Sequence, residues 1–495
     1  MFILRHSTRM AVVVLILLMM PGTCANVASA QTTAASPKKN KAPAGGEKAA
    51  KPNRPEPDPQ IAKALREVSP VQIQQTIAKL VSFGTRHTLS VNNPNAATSD
   101  QGIVAARKWI KSEFERYSAA CGGCLEVKTD TFVQPPTARI PQATELENVY
   151  AILRGTDPEQ AKRIYLVTGH YDSRNKDAMN STDPAPGAND DGSGTAVSLE
   201  CARVLSKHKF PATIIFLTVA GEEQGLNGSA HFAKMAREQG WLLDGVLNND
   251  IVGGNRTPGD ALQNSNIVRV FSEGIPAADF AESTPAAVKE ADLRRIRSAG
   301  GENDSTSRQL ARYIQEVGAT YDFGKFSPLL IFRRDRYLRG GDHSAFNDQG
   351  FAAVRFTEYR EDFHHQHENP RTENGIEFGD LPKFVDYDYV ANVARLNAAT
   401  LASLALAPAP PGKVRLLTKE LENNSKIQWE AAPGATAYEV LWRATSDPAF
   451  PPENVLRTTE TKVDLVESKD NVIFGVRSVG DRGHRSLIVV PEPER

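Results

Sequence analysis

Four short segments of this chain carry an acidic or histidine side chain at a strand exit or loop, and their repetition constrains the fold more than any overall property. His170 and Asp172 follow Ile164-Tyr165-Leu166-Val167, and Glu222-Glu223 follow Ile214-Ile215-Phe216-Leu217-Thr218-Val219. Asp250 comes after Gly245-Val246-Leu247, and Asp190 lies in Gly187-Ala188-Asn189-Asp190, just ahead of a helical stretch. In open α/β sheets the ligand crevice lies beyond the carboxyl ends of the strands, so these side chains are expected to converge there. Like-charged carboxylates gathered in one place repel and need neutralising charge. A pair of divalent metal ions supplies it with the fewest assumptions.

The 495 residues, 40% hydrophobic and 24% charged, are enough to bury a large core and to form two or three domains. With 58 Lys plus Arg against 59 Asp plus Glu, the formal net charge of -1 gives no overall field for nucleic acid or membrane lipid. A small neutral or zwitterionic substrate stays open. Residues 1–30 read as a signal peptide: Arg5 and Arg9 precede the apolar stretch Ala11 to Met20, and Ala28-Ser29-Ala30 offers a cleavage site. That stretch is about half the ~20 residues a membrane span needs. The mature chain is therefore expected to be secreted or periplasmic, with no transmembrane anchor once the signal is removed. In such an oxidising compartment Cys121 and Cys124 are expected to close a small structural disulfide, and Cys201 to be an inert core thiol.

Residues 31–60 are rich in Lys, Pro and Ala with almost no large apolar side chains, the composition of a disordered linker. From 61 to 407, apolar runs at Ala151-Ile152-Leu153, 164–168, 213–219, 245–250 and Ala353 to Thr357 alternate with helical stretches at Ala105 to Tyr117, Thr195 to His208 and Ala230 to Gly240. This pattern predicts an α/β, three-layer sandwich with a mixed, mainly parallel sheet. After the linker Ala407-Pro408-Ala409-Pro410-Pro411-Gly412, residues 408–495 break into short alternating segments, as in a C-terminal all-β sandwich domain. Trp429 and Tyr438 to Arg443 resemble a fibronectin type III module. A spacer, or a module docking to protein or a cell surface, is the expected role.

Each metal-binding reading competes with a plainer one. His-Tyr-Asp at 170–172 alone suggests no more than a surface histidine, although a carboxylate two residues on can orient an imidazole. Asp190 could be a helix cap or, with glycines on both sides, reach two ions at once. Glu222-Glu223, between Gly221 and Gln224-Gly225, could be a solvated turn; alternatively one glutamate binds metal while its neighbour serves as general base.

Taken together, Gly169-His170-Tyr171-Asp172-Ser173, the run Pro186 to Gly194, the run Ala220 to Ser229 and Asn248-Asn249-Asp250 resemble the exported di-zinc aminopeptidases. Phe83-Gly84-Thr85-Arg86 and Gly341-Asp342-His343 are also similar to that family, and the likeness spans roughly residues 60–405. The resemblance implies two Zn2+ ions. It makes Asp190 the bridging ligand, puts Glu223 on one metal and places His170 and Asp250 on the other. It also makes Glu222 the general base and Asp172 the residue behind the histidine. The last ligand in that family is a late histidine in a His-x-x-x-Asp-Thr pattern; His367 fits it, with Arg371 in place of the Asp, and His364 and His365 are rivals. The implied reaction is hydrolysis of N-terminal residues from peptides.

Of the other histidines, His231, His208 and His484 are expected to pack or face solvent, whereas the resemblance places His343 on the substrate wall. The run Arg333-Arg334-Asp335-Arg336, with Arg339, keeps a carboxypeptidase or dipeptidase open, because guanidinium groups clamp a terminal carboxylate. A one-metal glutaminyl cyclase is disfavoured by the full set of five ligands. An inactive receptor or adhesion protein on the same scaffold should have lost ligands or base, and this chain keeps them.

Overall fold

Every residue of the runs Arg163–His170 and Thr213–Val219 is buried, as expected of strands covered on both faces. The computed structural model describes residues 55–93, 100–277, 285–321 and 323–495. The expected signal peptide and nearly all of the linker lie outside them. The strands of the main sheet are β1 (Leu125–Gln134), β2 (Thr144–Leu153), β3 (Arg163–His170), β4 (Thr213–Val219), β5 (Leu242–Asn249), β6 (Ile267–Ser272), β7 (Ser327–Ile331) and β8 (Ala353–Glu358). They lie side by side in the order β1-β2-β4-β3-β5-β8-β6-β7. The neighbours β4, β3, β5 and β8 run parallel, as do β6 and β7, while the β1-β2, β2-β4 and β6-β8 pairs are antiparallel. The sheet is thus mixed and mainly parallel. Sequence periodicity missed β1, β6 and β7, which carry exposed or half-buried positions instead of a continuous apolar run.

The helices are α1 (Pro59–Arg66), α2 (Pro70–Val81), α3 (Gly102–Ala120), α4 (Gly192–Leu205), α5 (Asn227–Glu238), α6 (Ala286–Ala299), α7 (Thr306–Tyr321), α8 (Asp342–Asp348) and α9 (Tyr387–Leu406). Side chains alternate across the sheet with the period of two that a pleated strand imposes. In β4, Ile214 and Phe216 join a core with α2, α3, α4, α7 and α9, whereas Ile215, Leu217 and Val219 join Phe232, Ala233 and Ala236 of α5 and Phe346 of α8. Each such side chain contributes about 1.5–3 kcal/mol relative to exposure. The result is three layers.

From β3 the chain passes through α4 to β4 on one side, then through α5 on the opposite face to β5 on the other side. Connections therefore diverge at β3, which opens a crevice at its carboxyl end. The Cys121–Cys124 disulfide forms just past α3, with Cα atoms 5.6 Å apart, and Cys201 is free and buried.

A short hairpin, β9 (Arg371–Glu373) and β10 (Ile376–Phe378), precedes α9. The tail then forms β11 (Gly412–Leu417), β12 (Ser425–Glu430), β13 (Ala437–Ala444), β14 (Val455–Thr458), β15 (Lys462–Leu465), β16 (Val472–Val479) and β17 (Glu492–Glu494). They make two sheets, β15-β12-β11-β17 and β14-β13-β16, around a core that includes Val414, Trp429, Tyr438, Val440 and Phe474. One face of this all-β sandwich is committed within the chain. Asp304, just ahead of α7, takes both Nη2 contacts of Arg443 at 2.9 Å, with Arg312 at 3.1 Å. Arg477 joins Glu316 of α7 at 2.6 Å and Glu439 at 2.8 Å.

Asp304 and Arg443 are both nearly inaccessible, 4% and 3% exposed at the side chain. Removing one partner of a buried pair leaves an uncompensated charge and typically costs about 3–5 kcal/mol. Arg443→Leu is therefore expected to lower the free energy of unfolding in urea by about 3 kcal/mol, at the low end of that range because Arg312 remains. An unchanged midpoint would mean that Arg312 alone satisfies Asp304.

Candidate metal centre

Strand register brings the first pair of side chains together. Thr168 lies opposite Asn248 in the β3–β5 ladder, so two residues further on His170 and Asp250 arrive side by side, with His170 Nε2 3.9 Å from Asp250 Oδ1. On the other flank His170 is opposite Val219, which puts the Glu222-Glu223 turn next to it. Asp190 reaches the same point from the start of α4. That approach requires glycine: a Cβ on Gly169 would lie 2.4 Å from the Gly194 carbonyl carbon, and one on Gly194 would lie 2.1 Å from the Asn249 oxygen. The Asp190–Asp191 peptide bond is cis. Asp191 caps α4 by accepting from the Gly194 N–H at 2.8 Å, and its other oxygen accepts from the His170 N–H at 3.0 Å.

Two groups of donors result. Within the first, His170, Glu222 and Asp250 each offer an atom within 4.8 Å of the others; Asp190, Glu223 and His367 form the second in the same way. Asp190 links them, since its Oδ1 is 3.2 Å from His170 Nε2 and its Oδ2 is 2.9 Å from His367 Nε2. His367 Nε2 is also 2.9 Å from Glu223 Oε1. The five residues expected as ligands, with Glu222, therefore meet at one edge of the sheet.

Of the three late histidines only His367 faces this centre, on a backbone with φ of 56°. His365 stacks on Phe384 with ring centroids 3.7 Å apart, and His364 lies against Asp362 at 3.1 Å. Arg371, in the position usual for Asp, pairs with Glu368 and Glu373. His367 Nδ1 instead meets Arg174 Nη2 at 2.7 Å, and Arg174 Nε is 3.0 Å from Glu223 Oε2.

Asp172 organises the floor. Its carboxylate is 3.4 Å from His170 Nδ1, accepts from the Thr88 hydroxyl at 2.9 Å, and accepts from the backbone N–H groups of Glu222 and Glu223 at 3.2 Å each. Asp380 plays the matching part for Asp190, accepting from its N–H at 2.7 Å and from that of Asn189 at 2.8 Å. Arg86 is fully buried and ties the loop after β3 through the carbonyls of Tyr171, Pro186 and Gly187. Thr88, Arg174, Asp191, Asp380 and Gln366, whose Nε2 donates to Asp190 Oδ2 at 3.0 Å, escaped the sequence reading, since each has a partner distant in the chain. The doubled acid at 190–191 was the one local sign of a second role.

One expectation needs correction. His343 is fully buried in α8, with Nε2 2.9 Å from the Arg334 carbonyl oxygen, so it presents nothing to a substrate. Burial pushes its pKa down to about 4, against the pull of Asp335. The basic run is also already partnered: Arg336 and Arg339 share Glu361 at 2.7 and 2.9 Å, Arg334 takes Asp348 at 2.6 Å, and Arg333 donates to the Asp335 carbonyl.

Burial pushes the Glu222 carboxyl well up, with Asp250 and Glu223 adding to the rise against the pull of His170. It also raises Asp191 and Asp250, and Asp342 to about 7. Burial opposes protonation of His170 and His367, but the carboxylates outweigh it: Asp172 and Asp190 hold His170 well above its usual value, and Glu223 and Asp190 raise His367 to about 10. Asp190 is held well down, His367 and His170 overcoming its burial. His170 Nε2 and Glu223 Oε1 are buried without a hydrogen-bond partner of acceptable geometry. Such atoms, in a set of imidazole and carboxylate donors, fit zinc.

The signs of these shifts predict a pH effect in protein stripped of metal. A carboxyl raised in the fold loses its contribution as pH rises from about 4 to its folded value, about 7 for Asp342. A raised histidine loses its contribution between about 6.5 and about 10 in the case of His367. The melting temperature of chelated protein is therefore expected to fall as pH rises from about 5 to about 9, and added zinc to restore it most at the alkaline end. A flat profile would contradict the charge arrangement described.

Residues 148–380 match the model of Peptidase family M28. A probable zinc metalloprotease of Pyrenophora teres f. teres is 45% identical over 441 residues, covering 88% of each chain. Another of Leptosphaeria maculans is 44% identical over 444 residues, covering 89% of this chain and 98% of the relative. Among solved structures, the LapA aminopeptidase of Legionella pneumophila aligns with TM-score 0.47 and 20% identity, covering 70% of this chain and 75% of its own. A zinc aminopeptidase of Bacillus subtilis aligns with TM-score 0.46 and 14% identity, covering 67% and 94%.

Proposed function

The chain belongs to peptidase family M28 as a zinc metallopeptidase, and on that premise we propose that it is an exported di-zinc aminopeptidase with Glu222 as general base. One observation carries the reading: Asp190 turns one oxygen to His170 and the other to His367, as a carboxylate shared by two ions must. His170, Asp190 and Asp250 would hold one zinc and Asp190, Glu223 and His367 the other. When bound, zinc lowers the pKa of a coordinated water toward neutrality and polarises the carbonyl to be attacked.

The chain's own residues then divide the work. Glu222 leaves the same turn as Glu223, and Asp172 pins both backbone N–H groups, so one carboxylate is committed to the Asp190–His367 group while the other lies with His170 and Asp250. Glu222 takes the proton of the attacking water and passes it to the departing amine, the double duty of a carboxylate whose pKa burial has raised. The surplus of carboxylates suits a protonated terminal amine. The ion pairs of Arg334, Arg336 and Arg339 with Asp348 and Glu361 favour this reading over a clamp on a C-terminal carboxylate. Among the described residues no helix is long and apolar enough to cross a membrane. Export rests on residues 1–30, and the fibronectin-like reading of the tail on its strand pattern around Trp429.

Glu222→Gln is expected to keep zinc, measured by metal analysis, while peptide hydrolysis falls by about 10²–10⁴-fold, the usual worth of a general base. The wild type should cleave free and C-amidated peptides and spare N-acetylated ones. Equal cleavage of the acetylated peptide would remove the aminopeptidase assignment but leave the metallopeptidase intact.

A further inference from the structure

We propose that Arg355 is the positioning residue for Asp250 and that Gly341 is the residue whose missing side chain admits it. The inference rests on the two-zinc reading above. Arg355 lies on β8, in register with Asn248 of β5, two residues before Asp250. Its side chain has no exposed surface, and its Nη2 is 2.9 Å from Asp250 Oδ1. Nη1 is held from behind, 3.2 Å from Asp335 Oδ2 and 2.7 Å from the Gly340 carbonyl oxygen. Nη1 hydrogen-bonds to Asp335 and Gly340 and so fixes the guanidinium, while Nη2 faces Asp250 as a close ion pair that no hydrogen bond directs, so the held position of the charge sets where Asp250 can point.

The space for this contact is specific. An ideal Cβ on Gly341 would lie 2.6 Å from Arg355 Nη1, 3.3 Å from its Cζ and 3.2 Å from Asp250 Oδ2. Gly341 has extended backbone, so no left-handed conformation calls for glycine there. What calls for it is the close approach: a methyl group would strike the guanidinium itself. Asp335 is in turn pinned by the N–H of Arg336 at 2.5 Å, and His343 Nε2 stands 3.6 Å from its other side. The loop from 335 to 341 therefore closes over Arg355 and fixes it against the strand.

Charge adds a second role. Asp250 sits in an acid-rich pocket with Glu222 and Asp190 nearby, and the other candidate ligand group already has Arg174 at Glu223. Arg355 serves Asp250 as Arg174 serves Glu223, but without solvent access, and Asp250 is the ligand it pairs with. Its loss should thus affect one ion and leave the other.

The test is zinc titration of metal-free protein by calorimetry, with thermal unfolding as a check of folding. Wild type should take two equivalents; fewer than two would overturn the dinuclear reading and this inference with it. Arg355→Met, similar in length but uncharged, should weaken one equivalent by about 10–100-fold, the usual effect of losing an outer partner, and leave the other unchanged. Arg355→Lys should recover part of that loss. Gly341→Ala, which keeps the arginine, should reproduce the weakening of the same single equivalent, and it decides the matter if Arg355→Met does not fold. Two equivalents of unchanged affinity in Gly341→Ala and in either arginine variant, or equal weakening of both, would overturn the role of Arg355 while leaving the two-zinc site standing.

Discussion

The structure depends on the burial of many carboxylates at one edge of a mixed, mainly parallel sheet. Asp172, Asp190, Asp191, Glu223, Asp250 and Asp342 are all inside, where like charges interact through a poor dielectric and each must find compensation. The fold answers in layers. Backbone N–H groups face Asp172, Asp191 and Asp380, guanidinium groups face Glu223 and Asp250, and imidazoles face Asp190. What remains unsatisfied, His170 Nε2 and Glu223 Oε1 among them, is what a cation would complete.

The scaffold behind this edge is rigid for ordinary reasons. β3, β4 and β5 are apolar on both faces, and the two cores they separate leave little freedom to slip, because a one-residue shift would turn every side chain to the wrong layer. Glycines at 169 and 194 then let α4 close onto the strand ends, so that Asp190 comes within reach of both histidines. Precision at the site follows from packing some distance below it.

The tail adds a different constraint. It meets α7 through the part-exposed pair of Arg477 with Glu316 and the residue just ahead of α7 through the buried pair of Arg443 with Asp304, and α7 in turn packs on the core that supports β8. The β-sandwich and the peptidase layers thus share charge compensation.

The local pattern was enough to determine the layer architecture, the four parallel strands that carry the site and the residues that meet there, because continuous apolar runs and strand-exit acids are properties of neighbours in the chain. The family resemblance, not the local pattern, marked His367, without excluding His364 and His365; only the packing of His365 on Phe384 and the turn of His367 into the site separated them. Strands β1, β6 and β7 were illegible because edge and half-covered strands lack a full apolar run. Tertiary structure alone decided that His343 is buried, that the arginines of 333–339 already have partners, and that Arg355 and Asp380 reach residues 105 and 190 positions away. Such pairings depend on strand order and loop closure, which bring together charges that no local spacing relates.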